Sequence, residues 1–447
     1  MIVNMKSDTQ IITAKLKLLV GREQKDQLLT TALRYRDALN HASRVAFAHG
    51  KMSQAMKLQK RVYSELRETF GLPAQMACNA PRQVAASYKV LWSRSKTNTA
   101  HRAAGWTKKS YRGLDAPPTY SSLTVFYNYR RDFSFGKDRT VSVGTLSGRI
   151  RCRFEGYAKH LAMLDNGAIV GGAKLWRDPS RKAWYLLVSL AVPVPKIEEP
   201  RLNRVTGVDV GQRYLAVESD GRNARFWKGT SVLHRAEHYA RTRSGLQRKG
   251  TRSATRRKIL LALRETRFRA AVNHQISKQL AQPRTLIGFE YLRDIDERTE
   301  RRHRPGATKK QRRANRRRSG WGFADLQAKT HYKAVMAGGA VVYVDADYTS
   351  QACPRCGHAS RENRLGKGLR FVCAACGHQL HADLVGSRNV RMRTLLVRQD
   401  WARTGCLSAT PEGSDVEAKA KRLSRYLELR WSPEPNPHLG VSQVAGS

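Results

Sequence analysis

Two short cysteine pairs, Cys353-Pro-Arg-Cys356 and Cys373-Ala-Ala-Cys376, each running on into Gly-His, constrain this chain more than any other feature. Thiolates two residues apart can grip one metal ion from a single tight turn, and two such turns complete a tetrahedron of sulfur around zinc. The glycine after each pair permits that turn. The spacing therefore predicts a zinc ribbon over 351–378 with Cys353, Cys356, Cys373 and Cys376 as ligands. Four thiolates leave no open coordination position, so this zinc would hold structure and do no chemistry. The chain has seven cysteines, an odd number, and four of them crowd into this stretch, which suits a metal site better than a disulfide framework. His358 and His378 read as surface residues of the knuckles, and Cys78, Cys152 and Cys406 as ordinary thiols.

Charge narrows the partners. With 83 Lys and Arg against 35 Asp and Glu, the 447-residue chain carries a formal +48. A compact body with that excess repels itself unless a polyanion neutralises it. Nucleic acid fits better than an anionic membrane, because the basic residues are spread over several segments and not along one amphipathic helix. The longest apolar stretch, Trp184 to Val194, is too short to span a bilayer and is interrupted by Pro193, with Pro195 just beyond. The first twenty residues lack the apolar core and cleavage site of a signal peptide, so the expected location is the cytoplasm. The run RTERRHRPGATKKQRRANRRRSG, 298–320, packs like charges so densely that it is expected to stay mobile until phosphates neutralise it.

Hydrophobic periodicity divides the chain. Residues 11–20 alternate, with Ile12, Ala14, Leu16 and Leu18 on one side, as in a half-buried strand. From about Glu23 to Ser93 the apolar positions move to helical spacing, with Gly50 and Gly71 as stops, the third helix beginning near Pro73 and bending at Pro81. β-Branched and aromatic alternation then returns and continues to about Val194, with hairpin signals at Asn166-Gly167 and Asp178-Pro179-Ser180. The simplest assembly joins the first strand to the later ones as a small β-barrel with the helices inserted between them. After a linker at Pro193–Pro200, strands are expected at Val205–Val210, Tyr214–Ser219 and Arg225–Trp227. A long basic helical region, Val232–Leu280, and an apolar strand, Thr285–Tyr291, follow.

Three acids occupy unusual settings: Asp209 in GVDVG, Glu290 in LIGFEYL, and Asp383 in HADLVGSRNV. A carboxylate in or ending an apolar strand is costly unless a cation compensates it. Three that converge would make an oxygen-donor site for Mg2+ or Mn2+, able to activate water and stabilise the leaving oxygen of a phosphodiester. Taken singly, each also fits a plain structural role: Asp209 in a turn, Glu290 as partner of an arginine, Asp383 as a helix N-cap.

GVDVG, FEYL, YTSQACPRCGH, FVCAACGH and HADLVGSRNV, in this order and spacing, resemble the TnpB proteins of insertion sequences and the compact type V CRISPR effectors. The helical segment LPAQMACNAPRQVAASYK is similar more loosely. The resemblance implies a multidomain α+β protein: an N-terminal wedge β-barrel (1–20 and 114–203) holding an inserted helical recognition lobe (21–113), then an RNase H-like, RuvC-type α/β domain (204–350 and 379–400) interrupted by the ribbon. The tail, 401–447, shows no motif and is expected to be disordered. It further implies an RNA-guided DNA endonuclease in which a guide RNA pairs with target DNA beside a short recognition motif. Asp209, Glu290 and Asp383 would be the catalytic, magnesium-holding residues, with 5′-phosphate and 3′-hydroxyl products. One departure is visible, Leu384-Val385-Gly386-Ser387 where many relatives carry a small Asn-Ala-Ala run. A guided DNA-binding regulator that does not cut, and a strand-transferring transposase, remain the alternatives.

Overall fold

A computed structural model describes residues 9–105, 107–179, 181–292, 308, 322–364, 369–411 and 416–430. The basic run 298–320 lies outside the described residues except for Thr308. The chain forms two compact units, Thr9–Pro193 and a second from Val194 onward. Among the described residues no helix is long and apolar enough to cross a membrane.

In the first unit, β1 (Thr9–Leu19) is followed by helices α1 (Arg22–Ala48), α2 (Ala55–Glu68) and α3 (Ala74–Ala103). Gly50 and Gly71 adopt positive φ just past the ends of α1 and α2, and α3 runs through Pro81. Strands β2 (Thr124–Tyr127), β3 (Phe133–Phe135), β4 (Thr140–Thr145) and β5 (Gly148–Gly156) come next, then the short helix α4 (Ala158–Asp165), β6 (Ile169–Arg177) and β7 (Trp184–Pro193). The sheet order is β2-β6-β7-β1-β5-β4-β3, so the first strand lies at the centre, Leu16 facing Leu186 on one side and Leu18 facing Phe154 on the other. Its two edges, β2 and β3, are consecutive in sequence. The turn between them is tied by buried Asp132, whose carboxylate accepts from the Asn128 amide and from Asn79 of α3. The sheet is thereby almost closed on itself. Asn166-Gly167 does not form the hairpin expected of it: Asn166 caps α4 and Gly167 takes the left-handed turn after it, so the β5–β6 connection is helical.

The second unit is built on a five-stranded sheet in the order β10-β9-β8-β11-β12. Strands β8 (Arg204–Asp209), β11 (Thr285–Glu290) and β12 (Ala340–Val344) run parallel, whereas β9 (Tyr214–Ser219) and β10 (Ala224–Lys228) form an antiparallel meander on β8. The expected basic helical region consists of two helices, α5 (Thr230–Lys249) and α6 (Arg252–Leu280), because Gly250 turns left-handed and Thr251 caps the second. Buried Glu265 of α6 binds Arg243 of α5 and Arg269 of its own helix, clamping the pair. Helix α7 (Phe323–Met336) precedes β12. After the cysteine segment and its hairpin, β13 (Arg370–Val372) and β14 (Gln379–His381), comes α8 (Ala382–Thr404).

Both faces of this sheet are covered. Val208, Ile287, Phe289 and Val341 pack toward α6 and α7, while Val205, Leu286, Ala340 and Val342 pack with Trp401 of α8. The tail is not disordered throughout, contrary to expectation. Val416–Glu428 forms a further helix, α9, whose Arg422 and Tyr426 bind Asp345 and whose Arg425 binds Asp400. Leu429, just past its end, packs on Met392 and Leu396. Sequence reading missed it because its anchors are mostly charged and its acidic partners lie far away in the chain.

Candidate functional site

β8 and β11 lie side by side with Val208 opposite Phe289, so the next residues, Asp209 and Glu290, leave the sheet at the same carboxyl edge. Ligand crevices of open α/β sheets form at such edges. Alternation along a strand puts Val205, Gly207 and Asp209 on one face, and Leu286, Gly288 and Glu290 on the same face of the neighbour. That is the face on which α8 packs. A Cβ at Gly207 would overlap the backbone of Ser387 and Arg391, and one at Gly288 would overlap the Thr394 hydroxyl. The two glycines let the helix lie directly on the strands, and its first turn then carries Asp383 to the strand acids. Asp383 is not the N-cap: His381 fills that role, its Nδ1 accepting from the Asp383 amide at 3.3 Å.

Gly386 lies within the departing stretch of HADLVGS, against Asp209. A Cβ there would stand 3.0 Å from the Asp209 carboxyl carbon, so the third acid is followed, three residues on, by a position where α8 presses on the first acid. Any side chain at 386 would crowd Asp209.

The charges in this cluster are poorly balanced. Burial, then the negative charges of Glu290 and Asp383, push the Asp209 carboxyl well above the usual carboxylate range, opposed by Arg364 and the Val210 amide. Burial also raises Glu290, countered by a hydrogen bond from the Thr349 hydroxyl and the charge of Arg393. Arg364 reaches Asp383 at only 3.9 Å. Their oxygens do not all close to within 4.8 Å of one another, a spacing that among the described residues only the four cysteines reach. Three partly buried carboxylates that repel one another form a hard oxygen-donor set, and a divalent cation such as Mg2+ or Mn2+ is the partner that would relieve them.

The cysteines meet a stricter test. Sulfurs each about 2.3 Å from a central zinc in a tetrahedron stand about 3.8 Å apart. Cys353 and Cys376 sulfurs are 3.7 Å apart, and those of Cys356 and Cys373 3.5 Å. The two knuckles repeat the same backbone pattern: Cys353 N–H donates to His358 and Cys373 N–H to His378, each at 2.9 Å, with Gly357 and Gly377 at positive φ. Burial pushes the Cys353 thiol up to about 12. Burial also acts to raise Cys373, but the amides of Cys376 and Ala375 and the neighbouring thiols outweigh it and bring Cys373 down to about 7. The thiol set thus favours a shared thiolate, the species that binds zinc.

Sequence reasoning missed the residues that brace these groups. Fully buried Asn363 accepts from Ala374 N–H of the second knuckle and donates to Gln351 and His358 of the first, locking the two together. Thr349 and Asn389 stood inside the quoted motifs YTSQACPRCGH and HADLVGSRNV without an assigned task. Arg393 gave no signal, since one more arginine in so basic a chain is unremarkable until its burial is seen.

Comparison with known proteins matches residues 323–390, from α7 through the cysteine segment into α8, to the family described as "Cas12f1-like, TNB domain". Over 234 residues the chain is 28% identical to the CRISPR-associated endodeoxyribonuclease Cas12f1 of Sulfoacidibacillus thermotolerans, covering 49% of this chain and 53% of that protein. The chain is thus similar to TnpB proteins and type V CRISPR effectors. Other relatives agree: a putative RNA-guided DNA endonuclease, InsQ, of Escherichia coli K12 is 27% identical over 46% of this chain and 53% of its own length. A TnpB-like protein of Methanocaldococcus jannaschii is 25% identical over 48% of this chain and 79% of its own length. The match thus spans about half the length of the first two of these relatives. Among solved structures, a Cas12f1–sgRNA–target DNA complex aligns over 86% of this chain and 99% of its protein chain, with TM-score 0.49 and 14% identity.

Proposed function

We propose that the chain is an RNA-guided DNA endonuclease that hydrolyses DNA phosphodiester bonds at Asp209, Glu290 and Asp383. The observation that carries the reading is the meeting of two strand-end acids and a helix-borne third at one sheet edge, next to a four-cysteine ribbon. In this reading the second unit is a RuvC-type nuclease of RNase H-like topology. The almost closed sheet of the first unit is the wedge and α1–α3 the recognition lobe, together holding the guide RNA beside the target's flanking motif. The names of the relatives, Cas12f1 and InsQ, support the substrate class.

Asp209, Glu290 and Asp383 would hold Mg2+ or Mn2+, which when bound supplies activation of water and charge stabilisation at the scissile phosphate. In this reading the scissile phosphate lies against the three carboxylates. Arg364, beside Asp383, offers a guanidinium to a phosphate oxygen once the acid is occupied. Zinc at Cys353, Cys356, Cys373 and Cys376 holds the ribbon whose core includes Ala382 and Val385, and so fixes the first turn of α8. The +48 charge matches a polyanionic partner far larger than one duplex turn.

The test is to express the protein with its flanking genomic DNA, sequence the copurifying RNA, and challenge the complex with a matched plasmid library and Mg2+. Guide-dependent cutting that disappears in Asp209→Ala establishes the reading. Tight guided binding without cutting would make the protein a regulator. Joining of transposon ends would make it a transposase, and the absence of any discrete RNA would remove the guided reading altogether.

A further inference from the structure

Thr349 lies in the loop that leads from the end of β12 into the first cysteine knuckle, and it is 3% exposed. Its hydroxyl is within hydrogen-bonding reach of two acceptors, the Glu290 carboxylate and the Ala346 carbonyl. A hydroxyl donates one proton, and an ionised carboxylate is the stronger acceptor.

The loop itself is fixed from two directions. From α8, Asn389 donates to the carbonyls of Thr349 at 2.6 Å and Ala352 at 2.9 Å. One turn along the same helix, Arg393, 3% exposed, donates to the carbonyls of Asp345 and Asp347. A buried guanidinium is expensive unless its donors are used and its charge is answered. Here the donors go to the loop, and the charges that answer it include Glu290, Asp345 and Asp347.

From outside, α9 grips the same loop. Arg422 Nε lies 2.9 Å from the Asp345 carboxylate, the Tyr426 hydroxyl 3.4 Å from the same oxygen, and Lys419 Nζ 3.0 Å from Asp347. The Tyr426 ring also covers the Arg393 guanidinium at 4.3 Å. A helix some seventy residues downstream in sequence is thus anchored on the two carboxylates whose backbone Arg393 holds.

We propose that Thr349 is a positioning residue that fixes the Glu290 carboxylate for divalent-cation binding, with Asn389, Arg393 and the C-terminal helix α9 holding Thr349 in place. The proposal rests on the cation-site reading above and deepens it. Glu has three side-chain torsions, and a carboxylate without an outer partner is free to leave the geometry a cation needs. Thr349 engages one carboxylate oxygen and leaves the other for a ligand. Outer partners of ligating carboxylates typically change metal affinity or activity by about 10- to 100-fold.

The experiment titrates Mn2+ into the full-length, zinc-loaded protein by calorimetry. Thr349→Val removes the hydroxyl while keeping the branched shape, and is expected to weaken Mn2+ about 10- to 100-fold with little change in Tm. Thr349→Ser keeps the hydroxyl and should restore the parental affinity. The double variant Arg422→Met with Tyr426→Phe should weaken Mn2+ by a smaller factor, through the loop. In the guide complex, Thr349→Val should lower kcat and leave KM for target DNA unchanged. Asp209→Ala is run in the same series. If it abolishes Mn2+ binding while Thr349→Val binds like the parent, or if Thr349→Ser is as weak as Thr349→Val, the positioning role is overturned and the cation site stands. If Asp209→Ala binds Mn2+ like the parent, the cation site itself is wrong, and the positioning role falls with it.

Discussion

Gly288 and Gly207 seat α8 on the sheet in different ways, and the difference can be measured. A Cβ at Gly288 would collide with the Thr394 hydroxyl and stand 3.0 Å from the Thr394 Cβ, whereas one at Gly207 would collide with main-chain atoms of Ser387 and Arg391. Overpacking of this kind costs about 1–3 kcal/mol, occasionally more. Gly288→Ala alone should therefore destabilise the second unit by about that amount. Thr394→Ala alone removes a fully buried hydroxyl and methyl, at roughly 1–2 kcal/mol. Together they should cost less than their sum, because the atom the new methyl strikes is gone, with a coupling of about 1–2 kcal/mol. Gly207→Ala has no such remedy, since Thr394→Ala removes nothing it touches. The assay is urea unfolding followed by tryptophan fluorescence on the four Gly288/Thr394 combinations, with Gly207→Ala and its Thr394→Ala double as the comparison. Additivity of Gly288→Ala and Thr394→Ala to within about 0.5 kcal/mol would refute the account of how the helix is seated. Relief of Gly207→Ala by Thr394→Ala would refute it equally.

Asp209→Asn should abolish cleavage yet raise Tm in the absence of magnesium, by about 2–4 °C if the relief is roughly 1 kcal/mol, because it removes one of three mutually repelling acids; an unchanged or lowered Tm counts against the repulsion. Because Asp209 has its folded-state pKa raised, the native protein binds more protons than the unfolded chain between the ordinary carboxylate value and that raised value. Stability without magnesium should accordingly be greatest in acid and fall as pH rises through that window, and thermal melts across pH should show the fall flattened in Asp209→Asn. Cys373→Ser, or zinc removal by a strong chelator, should lower Tm and abolish cutting even with excess magnesium, since Ala382 and Val385 share the ribbon's core; zinc content and cleavage measured together check this. Gly386→Val should impair cleavage more than guided DNA binding, which a binding assay beside a cleavage assay would separate, because its side chain would press on the Asp209 carboxyl.

Local chemistry was legible without a structure wherever the signal lay within a few residues. The cysteine cluster is an example: two knuckles with a glycine each could be read from spacing, and the structure brings the four cysteines together, their ligand atoms within 4.8 Å of one another. The strands bearing Asp209 and Glu290 were legible too, as apolar runs ending in an acid. Signals failed where a local pattern admits two structures. Asn166-Gly167 suits a hairpin turn and equally a helix end, and α4 decided for the latter. The basic region Val232–Leu280 was legible as helical, but its division into two helices clamped by Glu265 is visible only once the two arms are folded together.

The sequence by itself determined the composition of the site: four thiols at knuckle spacing, three acids in apolar settings, and an excess of positive charge that calls for a polyanion. These are properties of side-chain chemistry and short-range periodicity, and they do not depend on where distant segments go. Only the tertiary structure decided that 209 and 290 share one sheet edge, that Gly207 and Gly288 are the bed on which α8 brings Asp383 to them, and that a charged helix in the tail grips the loop behind Glu290. Those outcomes turn on strand register, helix seating and ion pairs between residues tens to hundreds of positions apart, contacts whose partners no local pattern names.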